Sequence, residues 1–223
     1  MANAVTKVNS IAIANIAKIN GQNDSDLAKL NTLEFTGAAP DAHTLISTHD
    51  IAVLGASASI DITSGIDSTY DVYEFHFVNI HPQNNGAEWQ FQVKRDGGSA
   101  FDEYITSTMF RAYIQEDGAN APLQYQDGYD QAQGQAYNQL TDYTGDEDDG
   151  SLSGIFTLYA PSSTTYVKHF MATINDMYDA VACAVWHTAG YINAEEAIDE
   201  ISFEFDNGEI EGGEIRMYGI AKS

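Results

Sequence analysis

The stretch Tyr70-Asp71-Val72-Tyr73-Glu74-Phe75-His76-Phe77-Val78-Asn79-Ile80-His81-Pro82-Gln83-Asn84-Asn85-Gly86-Ala87-Glu88-Trp89-Gln90-Phe91-Gln92-Val93-Lys94-Arg95 decides how the chain is read. In its first arm Tyr73, Phe75 and Phe77 alternate with Glu74 and His76. In its second, Trp89, Phe91 and Val93 alternate with Glu88, Gln90, Gln92 and Lys94. A period of two places each set of apolar side chains on one face of an extended strand. Between the arms Pro82 cannot continue a ladder, and Asn85-Gly86 accepts positive φ, so the chain can reverse there. The expectation is an antiparallel hairpin with five aromatics on its inner side, at the centre of a sheet.

Outward from this centre the chain offers more short strands. Residues 45–48, 51–54 and 57–63 read as opening strands, and 104–114 as another around Phe110, Ala112 and Ile114. Residues 125–140 are polar, aromatic and glycine-bearing, suiting a weak strand or a long surface loop. Residues 151–159 and 166–174 make a second hairpin about Ala160-Pro161-Ser162-Ser163, with Phe156, Leu158, Phe170 and Ile174 for burial. Strands at 181–188, 198–205 and 214–220 complete the chain. Short strands between turns, with no long amphipathic helix, predict an all-β sandwich or barrel. A strand at the very end suits a jelly roll, whose first and last strands often share a sheet.

With Lys+Arg 9 against Asp+Glu 33, the formal net charge is -24. Phosphate backbones and anionic membrane surfaces would be repelled, which argues against nucleic acid and membrane insertion as partners. The same charge suits solubility or cation binding. Cys183 is the only cysteine, so an intrachain disulfide is excluded; its setting, Ala182-Cys183-Ala184-Val185-Trp186, reads as buried strand. The start has no basic, apolar signal-peptide pattern, and no run of eighteen apolar residues occurs. The expectation is synthesis in a cytoplasm without the usual export signal.

The first 35 residues repeat. Val5-Thr6-Lys7-Val8-Asn9, Ile16-Ala17-Lys18-Ile19-Asn20 and Leu27-Ala28-Lys29-Leu30-Asn31 share one pattern at a spacing of eleven residues. Eleven residues are about three helical turns, so a helical segment would keep one face in register and favour chains that wind around one another. Asn20-Gly21 interrupts any long helix, which leaves short helical pieces or extended turns. Val5, Val8, Ile16, Ile19, Leu27 and Leu30 form a stripe too narrow to pack on a core of its own. This predicts an assembly segment over 1–35 in a homo-oligomer, with a trimer as first choice. A hinge over 36–44 and a sandwich over 45–223 follow.

Chemistry is sparse. Gly145-Asp146-Glu147-Asp148-Asp149-Gly150 is the densest acidic cluster, and Asp146, Asp148 and Asp149 are calcium candidates because hard oxygen donors on a glycine-flanked loop suit that ion. The cluster lacks EF-hand spacing, and solvation alone also explains it. The six histidines form no close metal-binding pair, and no Gly-x-Ser-x-Gly is present. Tyr113, Tyr125, Tyr129, Tyr137 and Tyr143 could stack against sugar rings or pack at subunit contacts.

Several stretches carry a resemblance. Residues 63–71 running into Tyr73-Glu74-Phe75-His76-Phe77-Val78-Asn79-Ile80-His81-Pro82 are similar to virion structural proteins of tailed phages from marine bacteria. So are Gly128-Tyr129-Asp130-Gln131-Ala132-Gln133-Gly134, residues 159–168, and Ile215-Arg216-Met217-Tyr218-Gly219. Ile16-Ala17-Lys18-Ile19-Asn20-Gly21 resembles repeats of fibre-like proteins in such phages. The resemblance spans nearly the whole chain. It implies a non-enzymatic particle component with a concanavalin-like jelly roll, either a tail fibre or spike, or a capsid decoration, made in the host cytoplasm and placed in the virion beside other virion proteins. It carries over no catalytic residue and no cofactor. A free lectin-like carbohydrate-binding module is the alternative.

Overall fold

The computed structural model describes residues 42–178 and 181–221, together with the backbone of six two-residue strands between 7 and 34. The chain divides into two compact units, Met1–Thr44 and Leu45–Ser223.

In the first unit, β1 (Lys7–Val8) pairs with β2 (Ile11–Ala12), β3 (Lys18–Ile19) with β4 (Gln22–Asn23), and β5 (Lys29–Leu30) with β6 (Leu33–Glu34), all antiparallel. Each eleven-residue copy therefore makes the same small hairpin, with Val8↔Ile11, Ile19↔Gln22 and Leu30↔Leu33 as partners. Of the two forms expected, short helical pieces or extended turns, the described residues take the extended one. In sequence, the Asn-Gly of the second copy is a dipeptide that hairpins favour. Pieces this short are also poor helix nuclei.

The second unit is an antiparallel β-sandwich, jelly-roll-like in architecture. Its strands are β7 (His43–Asp50), β8 (Ser59–Ile62), β9 (Val72–Pro82), β10 (Trp89–Arg95), β11 (Ile105–Gln115), β12 (Leu123–Tyr125), β13 (Ala132–Gly134), β14 (Asn138–Gln139), β15 (Leu152–Tyr159), β16 (Lys168–Tyr178), β17 (Ala182–Ile192), β18 (Ile198–Phe205) and β19 (Ile210–Ile220). The larger sheet runs β12-β11-β17-β16-β15-β9-β19-β7, with β13 also on β11; the smaller runs β14-β10-β18-β8. The last strand, β19, neighbours β7, so the two ends of the unit share a sheet. Residues 51–54 are not a strand but a one-turn helix, α1 (Ile51–Leu54), capped by Asp50, whose Oδ1 accepts from Ala52 N at 2.9 Å.

The stretch that organises the chain keeps its two strands but not its hairpin. β9 lies between β15 and β19 in the larger sheet, and β10 between β14 and β18 in the smaller. The chain crosses from one layer to the other at residues 83–88. Gln83 N donates to Glu209 O at 2.9 Å and Gly86 N to Thr144 O at 3.0 Å, so neighbouring segments satisfy the turn. The physical reason is the aromatic load. Paired side by side, both arms would present their rings to one face and need another layer to cover them; in facing sheets they cover each other. Phe77 meets Trp89 edge-on at 5.5 Å, and Phe203 of β18 stacks on Trp89 at 5.9 Å while touching Phe75 at 5.5 Å. Phe91 reaches Phe156 at 4.5 Å and Phe170 at 4.9 Å.

The second expected hairpin forms as read: β15 pairs with β16 from Leu152↔Asp176 to Leu158↔Phe170. Phe156, Leu158, Phe170 and Ile174 are all buried.

Candidate interaction surface

β11, β17, β16 and β15 are adjacent in the larger sheet, and their register lines up side chains in rows across it. One row on the outer face runs Phe110, His187, Thr173, Ile155; the next runs Thr108, Ala189, Met171, Thr157. Phe110 is 43% exposed, Ile155 40%, Met171 56% and Ile114 51%. Phe110 stacks on the His187 ring at 5.0 Å, and Thr173 Oγ1 lies 3.2 Å from His187 Nδ1. Among the described residues of these four strands, no outward position holds Asp, Glu, Lys or Arg. In a chain with 33 acids this is a strong local departure. Charge returns at the next strands: Glu74 pairs with His76 at 3.0 Å on β9, and Glu214 with Arg216 on β19.

The face is indented. A hollow of about 440 Å³ lies among Tyr159, His169, Met171 and Tyr191, another of about 290 Å³ among Ala112, Ile114, Cys183 and Val185. The first, lined by rings, suits apolar side chains or the C–H faces of sugars, and the second, lined mostly by aliphatic side chains, suits apolar side chains.

The inward side of the same strands carries the charge. Arg111 lies beneath β11 with its guanidinium 4.8 Å from the Tyr113 and Tyr178 rings and 5.1 Å from Trp186, a cation held against aromatic faces. Its Nη1 donates to Asp142 Oδ2 at 3.3 Å, and the Tyr129 hydroxyl bonds the same carboxylate. Asp176 accepts from Trp186 Nε1 at 3.0 Å and from Thr144 Oγ1 at 3.2 Å. Burial pushes its carboxyl up to about 7, against the lowering effect of those two bonds. Burial also raises Asp142, and burial with Asp206 and Asp142 nearby takes Glu88 to about 7. Lys168 is fully buried, its ammonium donating to Ala194 O at 2.8 Å and to Glu196 O, and burial lowers its pKa. The Arg111–Asp142, Thr144–Asp176 and Lys168 contacts tie loops to the sheet, and Trp186–Asp176 joins the neighbouring strands β17 and β16, which is structural work.

The residues singled out in the sequence are scattered. Asp146, Asp148 and Asp149 sit on the loop between β14 and β15, Asp146 half-buried and the other two exposed. Among the described residues no group of three or more His, Cys, Asp or Glu could hold a metal ion. Tyr125 and Tyr143 are exposed, whereas Tyr113, Tyr129 and Tyr137 are half-buried; Tyr113 and Tyr129 belong to the Arg111 cluster, and Tyr137 donates to Ser202 Oγ at 3.0 Å. Of the assembly positions, Val8, Ile19 and Leu30 stand in the first strand of each hairpin, while Val5, Ile16 and Leu27 lie outside the described residues. Cys183 is in a strand, as expected, but on its exposed face.

The charge-free face was missed because apolar positions were read as inward. Its signal was the phase: in β16, Lys168 and Asp176 share the register of Phe170 and Ile174, so polarity is inverted, with charge inside and Met171 outside. Among the described residues no helix is long and apolar enough to cross a membrane. No known family, curated protein or solved structure matches this chain.

Proposed function

We propose that the protein is a non-enzymatic structural component of a tailed-phage particle, an oligomeric appendage in which the N-terminal hairpin repeats attach and join subunits and the β-sandwich is carried outward. The observation that carries this reading is the repeat itself: three copies of one sequence pattern, each making the same two-by-two strand pairing, ahead of a β-unit with its own aromatic core. A hairpin of two-residue strands is too small to be stable alone, so a row of them draws its stability from neighbouring hairpins or neighbouring chains. Three chains are the simplest arrangement for a fibre-like appendage. A tail fibre or spike is preferred over a capsid decoration, on the fibre-like character of the repeats. Several heads on one particle would raise avidity for a host-surface glycan even where each contact is weak.

The test is location and mass together. Antibody against the sandwich should label purified particles at a fixed site, and the purified protein should be an oligomer. Absence from particles combined with saturable sugar binding by a monomer would favour the free lectin-like module instead. That second reading has its own observation, the hollow lined by Tyr159, His169 and Tyr191.

A further inference from the structure

We infer that the charge-free outer face of β11, β17, β16 and β15 is where the sandwich of one chain packs against a second copy of itself. This rests on the reading of the protein as an oligomeric appendage and gives the head its own part in assembly, beyond the repeats. The argument begins with charge. Copies bearing -24 each repel one another over most surfaces, and bringing acids together in a desolvated contact costs more still. The outward rows holding Phe110, Ile155 and Met171 let two copies approach without burying an acid. The paired charges of Glu74 with His76 on β9 and Glu214 with Arg216 on β19 stand beyond the β15 edge of the face, where a polar rim belongs.

Area supports the same occupant. Four strands about 4.8 Å apart and roughly nine residues long at about 3.3 Å each span roughly 600 Å² before side-chain relief is counted. That uncharged footprint, with Phe110, Ile114, Val185, Met171 and Ile155 as its apolar part, approaches the about 800 Å² per partner of a stable interface. The hollows beside Met171 and Ile114 give a facing copy's exposed side chains somewhere to seat. A partner with strong positive charge gains nothing from this face, since the acids lie elsewhere.

The experiment compares the full-length protein with its Ile155→Asp/Met171→Asp and Tyr166→Asp forms by light scattering over a concentration series. Tyr166 is 73% exposed, in the loop between β15 and β16, and serves as a control for added charge. The face variant should lose mass at concentrations where the native protein stays assembled, its dissociation constant rising at least about tenfold, while Tyr166→Asp leaves the mass unchanged. Equal masses for native and face variant overturn the inference but leave the oligomeric reading standing on the repeats. Equal loss in both variants also overturns it, as a general charge effect. A monomeric native protein removes both. Should the face variant fail to fold, the native chain gives a second readout: Cys183 lies on this face, so maleimide labelling should be slowed in the assembled protein and speed up on dilution. A labelling rate independent of concentration counts against the contact.

Discussion

Replacing Asp176 by Asn should change how the stability of the sandwich responds to pH. The carboxyl is 2% exposed, and burial raises it from its ordinary value of 3.8 to about 7. Between those values the folded protein holds a proton that the unfolded chain has released. Stability from this group is therefore present at low pH and lost as pH rises, at about 1.4 kcal/mol per unit, or roughly 4 kcal/mol over the window. Asparagine keeps an oxygen for Trp186 Nε1 and an amide for Thr144 Oγ1 without ionising. The native protein and Asp176→Asn should be close in stability near pH 4, and the variant should pull ahead steadily up to pH 7 to 8. Urea unfolding followed by tryptophan fluorescence measures this directly. Glu88 and Asp142 titrate in both proteins, and because the Asp142 charge acts on Asp176, the difference reads residue 176 together with that coupling. Parallel stability-against-pH curves would refute the reasoning.

Three further outcomes follow from other parts of the molecule. Serine at Ile16, Ile19, Leu27 and Leu30 should leave the sandwich's circular dichroism and melting intact but weaken oligomerisation; unchanged mass would remove the role given to the repeats. Gly213→Ala should destabilise by roughly 2–4 kcal/mol, because residue 213 has φ +94° at the β9–β19 irregularity and an added Cβ would stand 2.3 Å from Asn79 O. Thermal melting with and without EDTA should coincide, since no cluster of three or more His, Cys, Asp or Glu that could hold a metal ion stands among the described residues; a lower melting temperature in EDTA would point to calcium on the loop of Asp146, Asp148 and Asp149.

How far the sequence could be read depended on what decided each feature. Strand identity was legible wherever alternation was strong, as at Tyr73, Phe75 and Phe77 or Ile201, Phe203 and Phe205, because a two-residue period has one structural meaning. Which strands pair was less legible. The β15–β16 hairpin followed from two alternating segments about Ala160-Pro161-Ser162-Ser163, but β9 and β10 separated because pairing is settled by where aromatic surface can be covered, a property of the whole core. Inside and outside were readable only while polarity followed convention. Asp176 and Lys168 hold inward positions by finding buried hydrogen-bond partners in Trp186 and Thr144, and in the carbonyls of Ala194 and Glu196. No local pattern announces such partners. The repeat was legible as a period of eleven, but period alone does not separate three helical turns from one small hairpin.

The central claim, that the N-terminal repeats and the sandwich act together as an oligomeric appendage, is tested most directly by solution mass. Light scattering at near-physiological and high salt would compare the full-length protein with a chain starting at Ala42. The account predicts an oligomer for the full chain, three subunits in the arrangement preferred here, and a lower, concentration-dependent mass once the repeats are removed. A full-length monomer at both salt concentrations would contradict it.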